Sequence, residues 1–84
     1  MSYRLVYTQR ASKDIQKLEP KVKSRIGKAL LRFEFDPLCF AKKLTNASLG
    51  TYRFRVGDYR IIFDLEGDEI VVLRVGHRSD IYKG

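Results

Sequence analysis

The sequence predicts an α+β domain: a helical hairpin packed on a small antiparallel β-sheet, in the order β-α-α-β-β-β. Three observations predict it. The 84 residues form one domain, 1–84, with no room for a second. Apolar residues recur with the helical period in the first half of the chain and alternate with the strand period in the second half. Two Gly-Asp turn signals, Gly57-Asp58 and Gly67-Asp68, divide that second half into three strands. Hydrophobic residues make up 44% of the chain, enough for a core in a domain that buries only about 60–65% of its unfolded surface.

The elements follow in order. Tyr3, Leu5 and Tyr7 alternate onto one face of a short first strand. Thr8 is placed to cap a helix over 9–18, whose Ala11, Ile15 and Leu18 fall at i, i+4 and i+7. Pro20 ends that helix and is tolerated in the first turn of the next. The second helix is expected over 20–35, with an apolar stripe of Val22, Ile26, Ala29, Leu30 and Phe33 and with Pro37 as its stop. Residues 36–50 read as a loop.

The hairpin at Gly57-Asp58 can be put in register. A two-residue loop pairs Val56 with Tyr59, Arg55 with Arg60, Phe54 with Ile61 and Arg53 with Ile62. Paired residues point the same way. Tyr52, Phe54, Val56, Tyr59, Ile61 and Phe63 then form the core face, and Arg53, Arg55 and Arg60 share the other. Like charges directly opposite each other destabilise a sheet. A planar guanidinium matches phosphate oxygens, so the three arginines suggest a phosphate site. A solvated basic face, partly paired by Asp64 or Glu66, is the competing reading. The third strand leaves two registers open. A three-residue loop at Glu66-Gly67-Asp68 puts Arg74 on the arginine face and Val71, Leu73 and Val75 in the core. A two-residue loop reverses this. The number of apolar residues favours the first.

Charge and composition narrow the function. Seventeen Lys and Arg against ten Asp and Glu give a net charge of +7, which points to a polyanionic partner, nucleic acid first. An anionic membrane surface or an acidic protein could use the same charge. One cysteine, Cys39, and one histidine, His77, allow neither an internal disulfide nor a four-ligand zinc site. No apolar run is long enough to span a membrane, and the N-terminus is too short and polar for a signal peptide, so a cytoplasmic location is expected. On the second helix Lys21, Arg25, Lys28 and Arg32 form one stripe, with Lys42 and Lys43 in the following loop. These six, with Arg74, are candidate contacts to RNA phosphates. Lys17 and Lys23 read as surface solubility residues. Near the end of the chain come His77, Arg78 and Tyr82. An imidazole can move a proton, a guanidinium can stabilise a phosphorane-like transition state, and a phenol can stack on a splayed base.

At "YRFRVGDYRIIF" and "VVLRVGHRSDIY" the chain resembles the RelE/ParE superfamily of toxin–antitoxin modules, and the likeness extends over nearly all of it. His-Arg followed four residues later by Tyr leans toward the RelE branch. The resemblance implies a RelE-like, microbial-RNase-type fold. It also implies a ribosome-dependent endoribonuclease that cuts mRNA in the 30S A site without metal or other cofactor, restrained by an acidic, RelB-like antitoxin. The ParE branch offers the alternative, inhibition of DNA gyrase without nuclease activity. By the same likeness the family's basic site residues fall on Arg53, Arg55, Arg60 and Arg78, its C-terminal tyrosine on Tyr82, and another basic position on His77. Some relatives carry lysines where this chain has Arg53 and Arg55. Arginine stays protonated and makes a poor base, which shifts proton transfer toward His77 and implies that the ribosome completes the site. Many relatives also extend past the tyrosine with a segment the antitoxin displaces; with two residues after Tyr82, that route is not expected here.

Overall fold

Thr8 caps the first helix as its position predicts: its Oγ1 accepts from the backbone N–H of Ala11 at 3.1 Å. In the computed structural model, which describes residues 3–45 and 50–81, β1 (Arg4–Tyr7) leads into α1 (Gln9–Gln16) and α2 (Pro20–Phe33), with Pro20 in the first turn of α2. The segment read as a loop contains a short α3 (Pro37–Phe40) and a two-residue β2 (Lys42–Lys43). The meander follows as β3 (Tyr52–Val56), β4 (Tyr59–Glu66) and β5 (Glu69–His77). The helix over 20–35 stops two residues early, at Phe33, and Glu34 takes the C-cap. No helix among the described residues is long and apolar enough to cross a membrane.

The sheet order is β1-β5-β4-β3-β2. β1 runs parallel to β5, so the sheet is mixed rather than wholly antiparallel. The hairpin register at Gly57-Asp58 is the expected one, with Arg55 opposite Arg60 and Phe54 opposite Ile61. The second hairpin starts in the less favoured of the two expected registers and leaves it at a bulge. Its loop is the two residues Gly67 and Asp68, because Glu66 pairs with Glu69. Ile70 and Val72 therefore face the core, and Val71 and Leu73 do not join it. A bulge then shifts the phase: Phe63 pairs with Val72 while Ile62 pairs with Arg74, leaving Leu73 as the extra residue on β5. Val75 returns to the core, and Arg74 takes the position opposite Ile62.

The core lies between the sheet and the helix pair. Ala11, Ile26, Ala29, Leu30 and Phe33 pack on Phe54, Ile61, Phe63, Ile70, Val72 and Val75. Phe33, Phe54 and Phe63 form a stack with ring centroids 4.1 Å apart at each step, a geometry that adds to their area burial. On the opposite face Ile62 is covered by the chain at Gly50. A Cβ at Gly50 would lie 2.6 Å from Ile62 Cγ2 and 3.0 Å from Leu73 Cδ1, so only glycine fits there. Thr51 fixes this crossing by donating its N–H to Asp64 Oδ1 at 2.7 Å.

Candidate functional site

The Gly57-Asp58 turn gathers cations from three parts of the chain. Gly57 has φ +59°, a left-handed conformation that glycine adopts without penalty. The Arg25 guanidinium of α2 lies against it: a Cβ there would be 2.8 Å from Arg25 Nη2. On β4, Arg60 donates from Nη1 to the carbonyls of Gly57 at 2.9 Å and Tyr59 at 3.0 Å. Arg78 donates its backbone N–H to the Asp58 carbonyl at 2.7 Å, and its Nε lies 3.6 Å from Asp58 Oδ1.

Arg60 is only 8% exposed and is the one charged residue buried among those described. Its recorded partners are backbone carbonyls. The three ion pairs among the described residues are Arg4–Glu69, Arg74–Asp14 and Arg78–Asp58. Burying a charge is costly unless it is paired, and across the strand pair Arg60 meets another arginine, Arg55, in register. An anion from outside would relieve both.

Two recesses flank this pair. One, of about 400 Å³, is lined by Lys43, Leu44, Thr45, Arg53 and Arg60. The other, of about 470 Å³, runs between α2 and the edge of β3 and is lined by Arg25, Lys28, Arg32 and Arg55, with Ala29, Phe33, Val56 and Gly57 as its floor. The helical stripe and the arginine face, separate features in the sequence, thus meet at Arg55. Lys42 extends the arginine face through its pairing with Arg53. Lys21 is exposed on α2 and lines neither recess.

Other expected site residues lie elsewhere. His77 pairs with Tyr59, on the helix-facing side of the sheet, and its ring meets the Tyr59 ring edge-on with centroids 5.5 Å apart. It lines a recess of about 390 Å³ with Asp14, Lys17, Tyr59, Arg74 and Asp80. Arg74 is not a free cation: its Nε donates to Asp14 Oδ2 at 2.9 Å. The same oxygen accepts the Val75 N–H at 3.0 Å. One carboxylate thereby satisfies the β5 edge beyond the reach of β1. Tyr82 lies outside the described residues. The arginines and the imidazole therefore occupy opposite faces at the same end of the sheet, with Arg78 anchored to the turn beside them.

The sequence reading missed a further cationic cluster. Arg10, Lys13 and Lys17 line a recess of about 420 Å³ with Arg74 and Asp14, and Lys17 also lines the His77 recess. Their spacing on one helix, i, i+3 and i+7, was available as a signal. Elsewhere, burial and then the charge of Glu34 push the Tyr7 phenol above its ordinary value.

Comparison with known proteins fits this arrangement. A family model described as the ParE toxin of the type II toxin–antitoxin system parDE matches residues 5–82. Toxin RelG of Mycobacterium tuberculosis is 36% identical over 90 residues, covering 99% of each chain. A chain of the M. tuberculosis toxin–antitoxin complex RelBE2 superposes with a TM-score of 0.84 at 28% identity, covering 93% of this chain and all of that one. The isolated RelE toxin of E. coli gives 0.77 at 26% identity, covering 96% and 92%. A toxin-family match over nearly the whole chain, and a toxin relative aligned end to end, make this protein a member of the RelE/ParE superfamily, a type II toxin of the RelE/RelG kind.

Proposed function

We propose that this toxin is an endoribonuclease that cuts mRNA in the ribosomal A site, in the cytoplasm, and that an acidic, RelB-like antitoxin restrains it by covering the arginine face. One observation supports this above the others: Arg60 is buried with no carboxylate partner among the described residues and stands opposite Arg55. A phosphodiester brings the missing negative charge, and guanidinium forks suit its oxygens. RNA supplies its own nucleophile, so the chemistry requires no metal. The 2′-hydroxyl attacks the adjacent phosphorus, the bond to the 5′-oxygen breaks, and the products carry a 2′,3′-cyclic phosphate and a 5′-hydroxyl.

The chain's residues divide this work by position. Arg55 and Arg60 take the scissile phosphate and its developing charge, where one well-placed donor is worth about 10²–10³ in rate. Arg53 and Lys43 hold the backbone on one side, and Arg25, Lys28 and Arg32 hold phosphates of mRNA or ribosomal RNA on the other. Lys21 and Lys42 add longer-range attraction, whereas Arg74 is taken up by Asp14. Arg78 and His77 approach from the end of β5, and Tyr82 is assigned to stacking on a base. The guanidiniums cannot act as bases, so proton transfer is completed in the ribosomal complex.

The family model's ParE description favours a second reading, inhibition of DNA gyrase without cleavage. Primer extension on a translated mRNA separates the two. Cuts confined to the A-site codon, and abolished by a 2′-deoxy substitution at the scissile nucleotide, are expected. Growth arrest with intact mRNA and damaged DNA would favour gyrase.

A further inference from the structure

The His77 ring is gripped by its own chain two residues on. Ser79 donates its backbone N–H to His77 Nδ1 at 3.1 Å, and Ser79 Oγ lies 2.8 Å from the same nitrogen. A backbone N–H can only donate, so Nδ1 carries a lone pair, and a neutral imidazole then holds its proton on Nε2. The grip is itself braced. The His77 carbonyl accepts from the N–H groups of Asp80 at 2.9 Å and Ile81 at 3.0 Å, and Ile81 is 2% exposed.

We infer that Ser79, through its backbone N–H, is a positioning residue that holds His77 as the Nε2–H tautomer, so that across the sheet end from Arg55 and Arg60 the ring offers a phosphate next to the scissile one a hydrogen-bond donor and not a base. This rests on the ribonuclease reading above. In this tautomer Nε2 has no lone pair for the 2′-hydroxyl proton, and protonation at Nδ1 would break the bond from the Ser79 N–H. The Nε2–H instead holds a non-bridging oxygen of the neighbouring phosphate and so keeps the scissile one in line on Arg55 and Arg60. As the O2′–P bond forms and the P–O5′ bond breaks, the 2′ proton passes to water, and the 5′-oxygen takes a proton from water within the ribosomal complex. His77 gains and loses none.

Because His77 is the single histidine, ¹⁵N NMR of histidine-labelled protein, at a pH where the ring is neutral, reads it without assignment. Wild type and Ser79→Thr are expected to show a pyrrole-like Nε2 and a pyridine-like Nδ1. Ser79→Ala keeps the N–H donor and is expected to hold the same tautomer, whereas Ser79→Pro, which removes that donor, is expected to move toward the tautomer mixture of the urea-unfolded chain. A proton on Nδ1, or a wild-type mixture equal to the unfolded one, would overturn the inference. In the translated-mRNA assay His77→Ala is expected to lose about 10²-fold in cleavage rate. His77→Gln, whose amide donates but takes no proton, is expected to recover at least ~10-fold of that loss. Equal loss in the two variants overturns the donor role. Absence of cleavage by the wild type would fail the ribonuclease reading instead, while the NMR still decides the tautomer.

Discussion

Arg55→Glu is expected to make the protein more stable and less active. Arg55 is exposed at the edge of β3 and stands opposite the buried Arg60. A directly opposed like-charge pair destabilises, and an opposite-charge pair stabilises, each by roughly 0.2–1 kcal/mol. Arg55→Gln removes the first effect, a gain of about 0.5 kcal/mol, and Arg55→Glu adds the second, for about 1 kcal/mol in total. In a domain of this size about 1 kcal/mol corresponds to a rise in Tm of roughly 4–8 °C. Cleavage moves the other way: loss of one donor to the transition state costs about 10²–10³ in rate, and Glu also repels the phosphate. Urea denaturation with thermal unfolding measures the first effect, and primer extension on a translated mRNA measures the second. The reasoning is refuted if Arg55→Glu melts below wild type, or if it melts higher and cuts RNA at an unchanged rate.

Three other perturbations test separate parts of the structure. Asp14→Ala leaves the half-buried Arg74 guanidinium and the Val75 N–H without their shared acceptor, at an expected cost of about 2 kcal/mol in urea denaturation. Gly57→Ala and Gly67→Ala both strain a residue at φ +59°, by roughly 1–2 kcal/mol each. A Cβ at Gly67 meets nothing within 4 Å, whereas one at Gly57 strikes the Arg25 guanidinium. RNA affinity measured by filter binding is therefore expected to fall for Gly57→Ala alone, and equal affinities would show that Arg25 is not held at the turn for binding. Burial, and after it Glu34, raise the folded-state value of Tyr7 above that of the unfolded chain. The neutral phenol's stabilisation is thus complete below about pH 10 and is lost as pH rises through the folded value. Tyr7→Phe is expected to flatten this alkaline decline in stability, and an identical decline in the variant would count against it.

Much of the fold was legible because short-range rules decide it. Thr8, Pro20 and the Gly57-Asp58 turn fix their elements through capping, ring geometry and a left-handed φ, all properties of single residues. The arginine pairing followed from the turn length alone. The bulge at Leu73 was not legible, because it answers to the fit of Gly50 over Ile62 and Leu73, a contact between segments far apart in the chain. For the same reason Arg74 looked like a free cation. Its partner Asp14 is 60 residues away, and alternation along β5 says nothing about what lies beyond its edge. The short β2 escaped because two lysines carry no strand pattern; they pair only because Arg53 and Tyr52 are there to receive them.

A second like-charge pair in the same sheet shows why the first points to a ligand. At the opposite end of β4, Glu66 stands against Glu69 across the Gly67-Asp68 turn. There the molecule supplies its own remedy, since Arg4 of the adjoining strand reaches Glu69 Oε2 at 2.9 Å. Those two carboxylates are at the solvent-exposed tip of a hairpin, where repulsion is screened. The Arg55–Arg60 pair has neither relief: one partner is buried, and no carboxylate among the described residues bridges to either. The acidic pair at one end of the central hairpins is thus relieved by Arg4, and the arginine pair at the other has no such partner among the described residues. The excess charge is therefore directional, and a polyanion is drawn first to the Gly57-Asp58 end. On the function proposed above, that is also the end an acidic antitoxin covers, because Glu66 and Glu69 repel it from the other.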